Sequence, residues 1–310
     1  MTRVVLATAY GGPEVLTVVD QPVADPGPGQ ARVEVRAAGV NPADWKSYTG
    51  AFGTDPAALP RRLGSEVSGV VTAVGPDVAL AVGDEVIGFR VSGGYAAELV
   101  VRASALVPKP ASLGWEQAAG LMLTGATAVH ALTATGVGEG DTVLVHGAAG
   151  GVGLMAVQLA ALRGARVIGT VGGGGAELVR RFGAETVRYG DGLADRVREL
   201  APDGVDAAVD LVGTDEAVDV SLELVADRQR IATIAAFGRA ASEGIKALGG
   251  GPGADPGTEL RDAARPDLAE AAGAGRLEVV VAGTFPLEEV AAAHRQGMAG
   301  HTHGKLVLVP

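Results

Sequence analysis

No cysteine occurs anywhere in the 310 residues, which excludes disulfides and every thiolate metal site. Aromatic residues make up only 4% of the chain while glycine reaches 48, so a core has to be assembled mainly from Val, Leu and Ala. Aliphatic runs of that kind suit a parallel sheet covered on both faces. Positive charge is also scarce: 25 Lys and Arg stand against 36 Asp and Glu, a formal net charge of −11. Phosphate backbones repel such a surface and no basic cluster offsets it, so no nucleic-acid partner is expected. Long apolar runs are missing too. The longest uncharged stretch, Ala118 to Gly138, is broken by Thr, Gly and His130 and makes a poor spanning helix, so no membrane span is expected. The segment Met1 to Ala7 has one positive charge and too short an apolar run for a secretory signal. The chain is therefore expected in the cytoplasm.

What is present reads as two domains, which the length also favours. Residues 1–118 are β-rich. Short alternating runs such as Arg32–Arg36 and Val67–Val74 are separated by turn signals at Asp25–Gly29, Gly75–Asp77 and Val82–Asp84. From 119 to 277 strands and helices alternate at the spacing of βαβ units, an α/β, doubly wound parallel pattern. Thr142–His146 is the first strand, Val152–Leu162 its helix, and Ala165–Thr170 the second strand. A helix over Ala176–Phe182 and further strands over Val205–Val212 and Gln229–Ile234 follow. Gly249–Gly257 is rich in Gly and Pro and is expected to be a mobile loop. Residues 278–310 return to strand character, with strands expected at Leu277–Ala282 and Lys305–Val309 and a helix over Pro286–Met298 between them.

The chemistry is signalled by Gly147-Ala148-Ala149-Gly150-Gly151-Val152-Gly153, set directly between the first strand and its helix. A glycine-rich string alone is weak. This one has a strand before it, a helix after it, and a second strand ending about 20 residues on, the context of a dinucleotide fingerprint. Gly150 and Gly151 lack Cβ, so backbone can approach a pyrophosphate closely. Free amides and the positive helix end then face the anion. Gly153 lets the helix pack tightly on the strand. The plainer reading is a tight turn that binds nothing. The second strand ends Thr170-Val171 and runs into Gly172-Gly173-Gly174-Gly175 with no acid to bond the ribose hydroxyls, so a 2′-phosphate can be accommodated. Arg180, Arg181 and Tyr189 are nearby candidates to read it. NAD(H) is not excluded.

The string His146–Gly153, with Asn41-Pro42-Ala43-Asp44-Trp45-Lys46, Leu63–Val71, Val82–Val86 and Gly300–Leu308, resembles the medium-chain dehydrogenase/reductase superfamily. Within it the similarity is to the zinc-free quinone oxidoreductase, zeta-crystallin-like branch, and it covers nearly the whole chain in order. The resemblance implies a GroES-like domain over 1–118 with a C-terminal return at 278–310, a Rossmann domain over 119–277, NADP(H) as cofactor and a homodimer. It also implies that Asn41 and Asp44 line the nicotinamide side of the cleft. Thr127 would lie near the nicotinamide, Tyr189 by the adenine ribose, Phe237 against the cofactor, and Lys305 would approach from the C-terminal return. Gly147–Gly153 and Thr170 complete the expected cofactor site. Relatives usually carry a Ser and a Lys or Arg where this chain has Gly172–Gly175.

The zinc branch uses cysteine and a Gly-His-Glu string, for which this chain has Gly64-Ser65-Glu66, so no metal site is expected. His301 and His303 read as part of a polar loop. An alcohol would have to be oxidised without a Lewis acid. Hydride addition to a quinone or other conjugated carbonyl asks for less, since the resulting oxyanion needs only a hydrogen-bond donor or water. Tyr48 is the candidate donor, alongside Asn41 and Asp44; a packing tyrosine is the competing reading. The expected function is an NADPH-dependent quinone oxidoreductase acting on a small conjugated carbonyl. Alternatives are a specialised enoyl or enone reductase, a non-redox cyclase of a biosynthetic pathway, or a binding protein that keeps only the nucleotide fold.

Overall fold

Strand-forming aliphatic residues separated by Gly and Pro turns set up most of the chain. A computed structural model describes all residues 1–310. Its strands are β1 (Thr2–Ala7), β2 (Leu16–Gln21), β3 (Gln30–Val40), β4 (Arg61–Arg62), β5 (Glu66–Val74), β6 (Glu85–Phe89), β7 (Glu98–Arg102) and β8 (Leu106–Pro108) in the first stretch. Then come β9 (Thr142–His146), β10 (Arg166–Val171), β11 (Glu185–Arg188), β12 (Ala207–Asp210), β13 (Ile231–Thr233) and β14 (Lys246–Ala247), and finally β15 (Val281–Pro286) and β16 (Lys305–Val309). The chain divides into two compact units, Met1–Leu123 with Pro266–Pro310, and Thr124–Arg265. No helix is long and apolar enough to cross a membrane.

The first unit is the β-rich GroES-like fold. One sheet runs β2-β1-β4, and a larger one runs β15-β16-β3-β5-β6-β8 with β7 also paired to β3. The strand from the far end of the chain, β16, lies antiparallel to β3 and parallel to β15, so it is an interior strand. Its core joins Val33, Val35, Val67, Val71, Tyr48 and Tyr95 to Leu287, Val290, Ala293, Leu306 and Leu308 of the later segment. The expected helix over Pro286–Met298 is present as a single turn, Leu287–Glu289, followed by Val290–Met298. The strand expected at Leu277–Ala282 starts later, at Val281, and ends at Pro286.

The second unit is the Rossmann-like parallel sheet, ordered β11-β10-β9-β12-β13-β14 with every pair parallel. Strand order therefore reverses at β9, and in such sheets ligands gather outside the carboxyl ends of the strands at that reversal. Val143, Leu144 and Val145 are buried on both sides, as a covered parallel strand requires. The expected strand Val205–Val212 is shortened to Ala207–Asp210 because the Asp210 carboxylate accepts the amides of Val212 and Gly213 and turns the chain there.

Candidate functional site

The glycine elbow lies where the sequence puts it, between β9 and the helix Gly151–Leu162. Gly147 takes φ +74°, and a Cβ there would meet Val212 Cγ2 at 2.5 Å, so the turn needs glycine. Thr170 holds the elbow from β10: its Oγ1 accepts the Gly147 amide at 3.2 Å and its carbonyl accepts the Ala148 amide at 3.1 Å. The first helical bond runs from Leu154 N to Gly150 O, so the amides of Gly151, Val152 and Gly153 precede it without an intrahelical acceptor. Positive partial charge gathers there and suits an anion. A Cβ on Gly150 would meet only Gly147 O at 3.4 Å, leaving its outer face open. Ala148 and Ala149 are buried behind the turn.

Neighbouring strand ends are braced by groups that pattern reading did not single out. Asp210 is fully buried; its Oδ1 accepts Val212 N and Gly213 N, and its Oδ2 accepts the Thr233 hydroxyl at 2.6 Å. Thr233 Oγ1 in turn accepts Ala235 N and Ala236 N. Two loops at the carboxyl end of the sheet are thereby fixed to one carboxylate. No spacing motif marks Asp210 and Thr233; only the topology brings β12 beside β13.

Of the other residues expected at the cofactor, Thr127 is buried on the helix Trp115–Ala134. Phe237 opens a short helix, and a Cβ on Gly251 would collide with its ring at 2.5 Å, so the ring covers the Gly249–Gly257 loop. That loop is tied down rather than mobile. Gly249 N bonds Asp255 O at 2.7 Å, Asp255 N bonds Ala247 O at 2.8 Å, and Asp255 Oδ2 lies 3.2 Å from His130 Nε2. Arg261 Nε donates to His130 Nδ1 at 3.2 Å, which makes Nε2 the protonated nitrogen. Tyr189 is half exposed, and its hydroxyl is 3.0 Å from where a Gly172 Cβ would stand. Arg180 is spent on Thr186 Oγ1, and the Arg181 guanidinium lies over the Phe182 ring.

In the first unit, Asn41, Asp44 and Lys305 do converge, around Glu66. Asn41 precedes the short helix Pro42–Lys46; its amide donates to Asp44 Oδ2 at 2.8 Å, and Pro42 supplies a helical φ. Lys305, on β16, points all three donors inward, to Glu66 Oε1 at 2.7 Å, Val40 O at 3.1 Å and Asn41 Oδ1. Glu66 Oε1 also accepts Asn41 Nδ2 at 3.0 Å, and Oε2 accepts Leu123 N at 2.9 Å. A Cβ on Gly39 would lie 2.4 Å from Glu66 Oε1, which is why β3 carries glycine there. Lys305, expected to approach the cofactor, has its ammonium buried and every donor committed within this cluster.

Tyr48, the expected donor, is likewise engaged by a partner. It is fully buried, its hydroxyl lies 2.8 Å from His294 Nδ1, and burial raises its pKa well above the usual phenol range. A directed chain runs Tyr48 to His294 Nδ1, His294 Nε2 to Tyr95 Oη (3.3 Å), and Tyr95 to Asp44 Oδ2 (2.8 Å). A neutral imidazole with its proton on Nε2 satisfies every link. Burial pushes Asp44 up to about 6, against the opposing bonds from Tyr95 and Asn41, and pushes His294 down to about 4. Asp44 alone of the three catalytic candidates keeps an uncommitted atom, Oδ1. The Ser65 hydroxyl, next to Glu66, is buried without a hydrogen-bond partner.

These shifts predict which unit yields first to acid. Burial also lowers His146 to about 4, and lowers His130. A histidine ionising near 4 when folded and near 6.5 when unfolded binds more protons unfolded between those values. Acidification through that window then costs about 3 kcal/mol for each of His294 and His146, and His130 adds a cost of the same sign. Asp44 has its folded pKa raised and acts oppositely, contributing about 3 kcal/mol as pH falls from 6 towards 3.8. In the first unit His294 and Asp44 nearly cancel; in the second, His146 and His130 have no such counterweight. Far-UV circular dichroism should begin to fall below about pH 6.5 while fluorescence from Trp45 and Trp115, the chain's two tryptophans, both in the first unit, holds. Coincident transitions would contradict this.

A quinone oxidoreductase of Pseudomonas aeruginosa is 37% identical to this chain, with both chains covered in full. The chain belongs to the quinone oxidoreductase branch of the medium-chain dehydrogenases/reductases. Residues 27–111 match the alcohol dehydrogenase GroES-like domain, and 182–308 match the zinc-binding dehydrogenase family. A 2-haloacrylate reductase of Burkholderia is 36% identical, covering 97% of this chain and 96% of its own. The quinone oxidoreductase of Escherichia coli, solved in complex with NADPH, superposes on all of the chain with a TM-score of 0.88 at 29% identity. Zinc does not fit this member of the branch: it has no cysteine, Ser65 stands in the Gly-x-Glu string, and no three His, Asp or Glu residues gather to hold a metal.

Proposed function

We propose that the protein is an NADP(H)-dependent oxidoreductase that passes hydride to a quinone or related conjugated carbonyl without zinc. The observation that carries this reading is the elbow Gly147–Gly153, with three helix-end amides, an open Gly150 face and no acid closing β10. Its relatives among quinone oxidoreductases, one of them solved with NADPH, support the same cofactor and acceptor. The bound nicotinamide supplies a hydride. The chain's own residues do the rest. The amides of Gly151–Gly153 hold the diphosphate, Thr170 fixes the elbow, and Asp210 with Thr233 keeps the adjacent loops in place, which is orientation secured before reaction.

Hydride addition leaves negative charge on the acceptor oxygen, and one proton neutralises it. Asp44, with Oδ1 uncommitted and its pKa near 6, is the group best suited to hold that proton, in place of Tyr48. Asn41 and Lys305 act as braces that fix Asp44. The 36% identical 2-haloacrylate reductase favours one second reading, reduction of an activated carbon–carbon double bond at the same site.

The test is absorbance at the nicotinamide band with NADPH and 1,4-benzoquinone, then with a 2-haloacrylate. Turnover of the quinone supports the first reading and turnover of the haloacrylate alone the second; binding without either leaves neither standing. Asp44→Asn should cut turnover about 10²- to 10⁴-fold if it is the proton donor. Light scattering on the same preparation tests the homodimer expected of the family.

A further inference from the structure

Gly172–Gly175 leaves nothing on the loop after β10 to read a ribose 2′-phosphate, and Arg180 and Arg181 are engaged elsewhere. The adjacent strand offers a replacement. β11 is parallel to β10 with Val171 opposite Arg188, so Arg188 stands at the carboxyl edge of the sheet, level with the last residue before the glycines. The hydroxyl of its neighbour Tyr189 lies 3.0 Å from where a Gly172 Cβ would stand, and a Cβ at Gly173 would meet nothing within 4 Å, so the space beside the loop is open.

Arg188 is exposed and makes no ion pair or side-chain hydrogen bond, whereas the arginines around it are committed. Arg166 pairs with Glu185 at 2.7 Å, and Arg198 pairs with Asp195 and Glu223. Arg196 is spent on holding the Arg188 segment itself. It donates to Arg188 O at 2.7 and 3.1 Å, Gly190 O at 2.8 Å and Asp191 O at 2.6 Å. Gly190 N is anchored on Glu216 Oε1 at 2.9 Å. One guanidinium thus fixes the backbone from which another projects uncommitted, beside a strand end that carries no acid. In nucleotide-binding sheets an arginine near this strand end accommodates the 2′-phosphate, and its planar fork matches the phosphate oxygens.

We propose that Arg188 is the specificity-determining residue that reads the 2′-phosphate of NADP(H) in this chain, in place of the residues the glycine loop lacks. This rests on the dinucleotide reading above. Titration calorimetry with 2′,5′-ADP and 5′-AMP, which carry no nicotinamide, tests it. The parent should prefer 2′,5′-ADP. Arg188→Ala should weaken 2′,5′-ADP about 10- to 100-fold, the range expected for a lost charge-assisted pair, with 5′-AMP unchanged. Arg188→Lys should recover part of the loss. A parent that binds both nucleotides equally overturns the proposal and leaves dinucleotide binding intact. So does an Arg188→Ala variant that keeps its preference, or an Arg180→Ala variant that loses it instead. A parent that binds neither nucleotide nor NADPH overturns the dinucleotide reading along with it.

Discussion

Lys305→Met should destabilise the first unit by about 3–5 kcal/mol, the usual penalty for stranding one half of a buried ion pair. Glu66 is fully buried and Lys305 nearly so, so water cannot replace the missing ammonium. The carboxylate would keep Asn41 Nδ2 and Leu123 N but lose its only cation. Asn41 Oδ1 and Val40 O would lose their donor in the same step. Urea unfolding followed by tryptophan fluorescence reads this unit alone, because both tryptophans lie in it. Adding Glu66→Gln to Lys305→Met removes the stranded charge and should recover about half or more of the loss. A double variant no more stable than the single one would mean that packing, not charge, dominates the cluster.

Gly150→Ala and Gly153→Ala should separate binding from folding within one elbow. A Cβ on Gly153 would lie 2.2 Å from Gly147 O and 2.7 Å from Ala148 Cα. Both are backbone atoms, so the helix has to leave the strand end. The second unit should lose about 2–4 kcal/mol, within the range of overpacking, with no measurable NADPH binding. The Gly150 Cβ makes only an ordinary contact, and its φ of −73° suits any residue. Gly150→Ala should therefore melt like the parent yet bind NADPH about 100-fold more weakly, because the methyl occupies the space a diphosphate needs. The fluorescence of bound NADPH measures this. Parental affinity in Gly150→Ala would remove the diphosphate from this turn.

The glycine elbow and the Glu66 cluster differ in how far the sequence discloses them, and the reason is contact distance. The elbow is local: strand, glycines and helix occupy one short stretch, and the amides it presents follow from backbone geometry. The second-strand ending at Thr170-Val171 was legible for the same reason. The Glu66 cluster is not local. Lys305 meets Glu66 from β16, and His294 meets Tyr48 and Tyr95 from the helix Val290–Met298. Phenols and ammonium groups that look poised for chemistry in a linear reading prove saturated once these partners arrive. Tyr48 and Lys305 are the two examples, each satisfied by partners that no linear pattern announces. Asp210 and Arg188 were missed for the complementary reason: each gains its meaning only when parallel strands come side by side, one as a brace and one as a charge left over. The Gly249–Gly257 loop looked mobile by composition, yet Asp255 and His130 pin it from a helix far back in the chain.

The interior place of β16 in the first sheet bears on how the protein is made. A ribosome delivers residues 124–265, and with them all six parallel strands of the second unit, before it delivers Lys305–Val309. The nucleotide-binding half can therefore reach its native arrangement while still tethered to the translation machinery. The earlier half must wait with β3 lacking a neighbour and the Glu66 carboxylate lacking its cation. Synthesis order and assembly order are thus inverted, and the stretch translated first is the one that needs shielding longest.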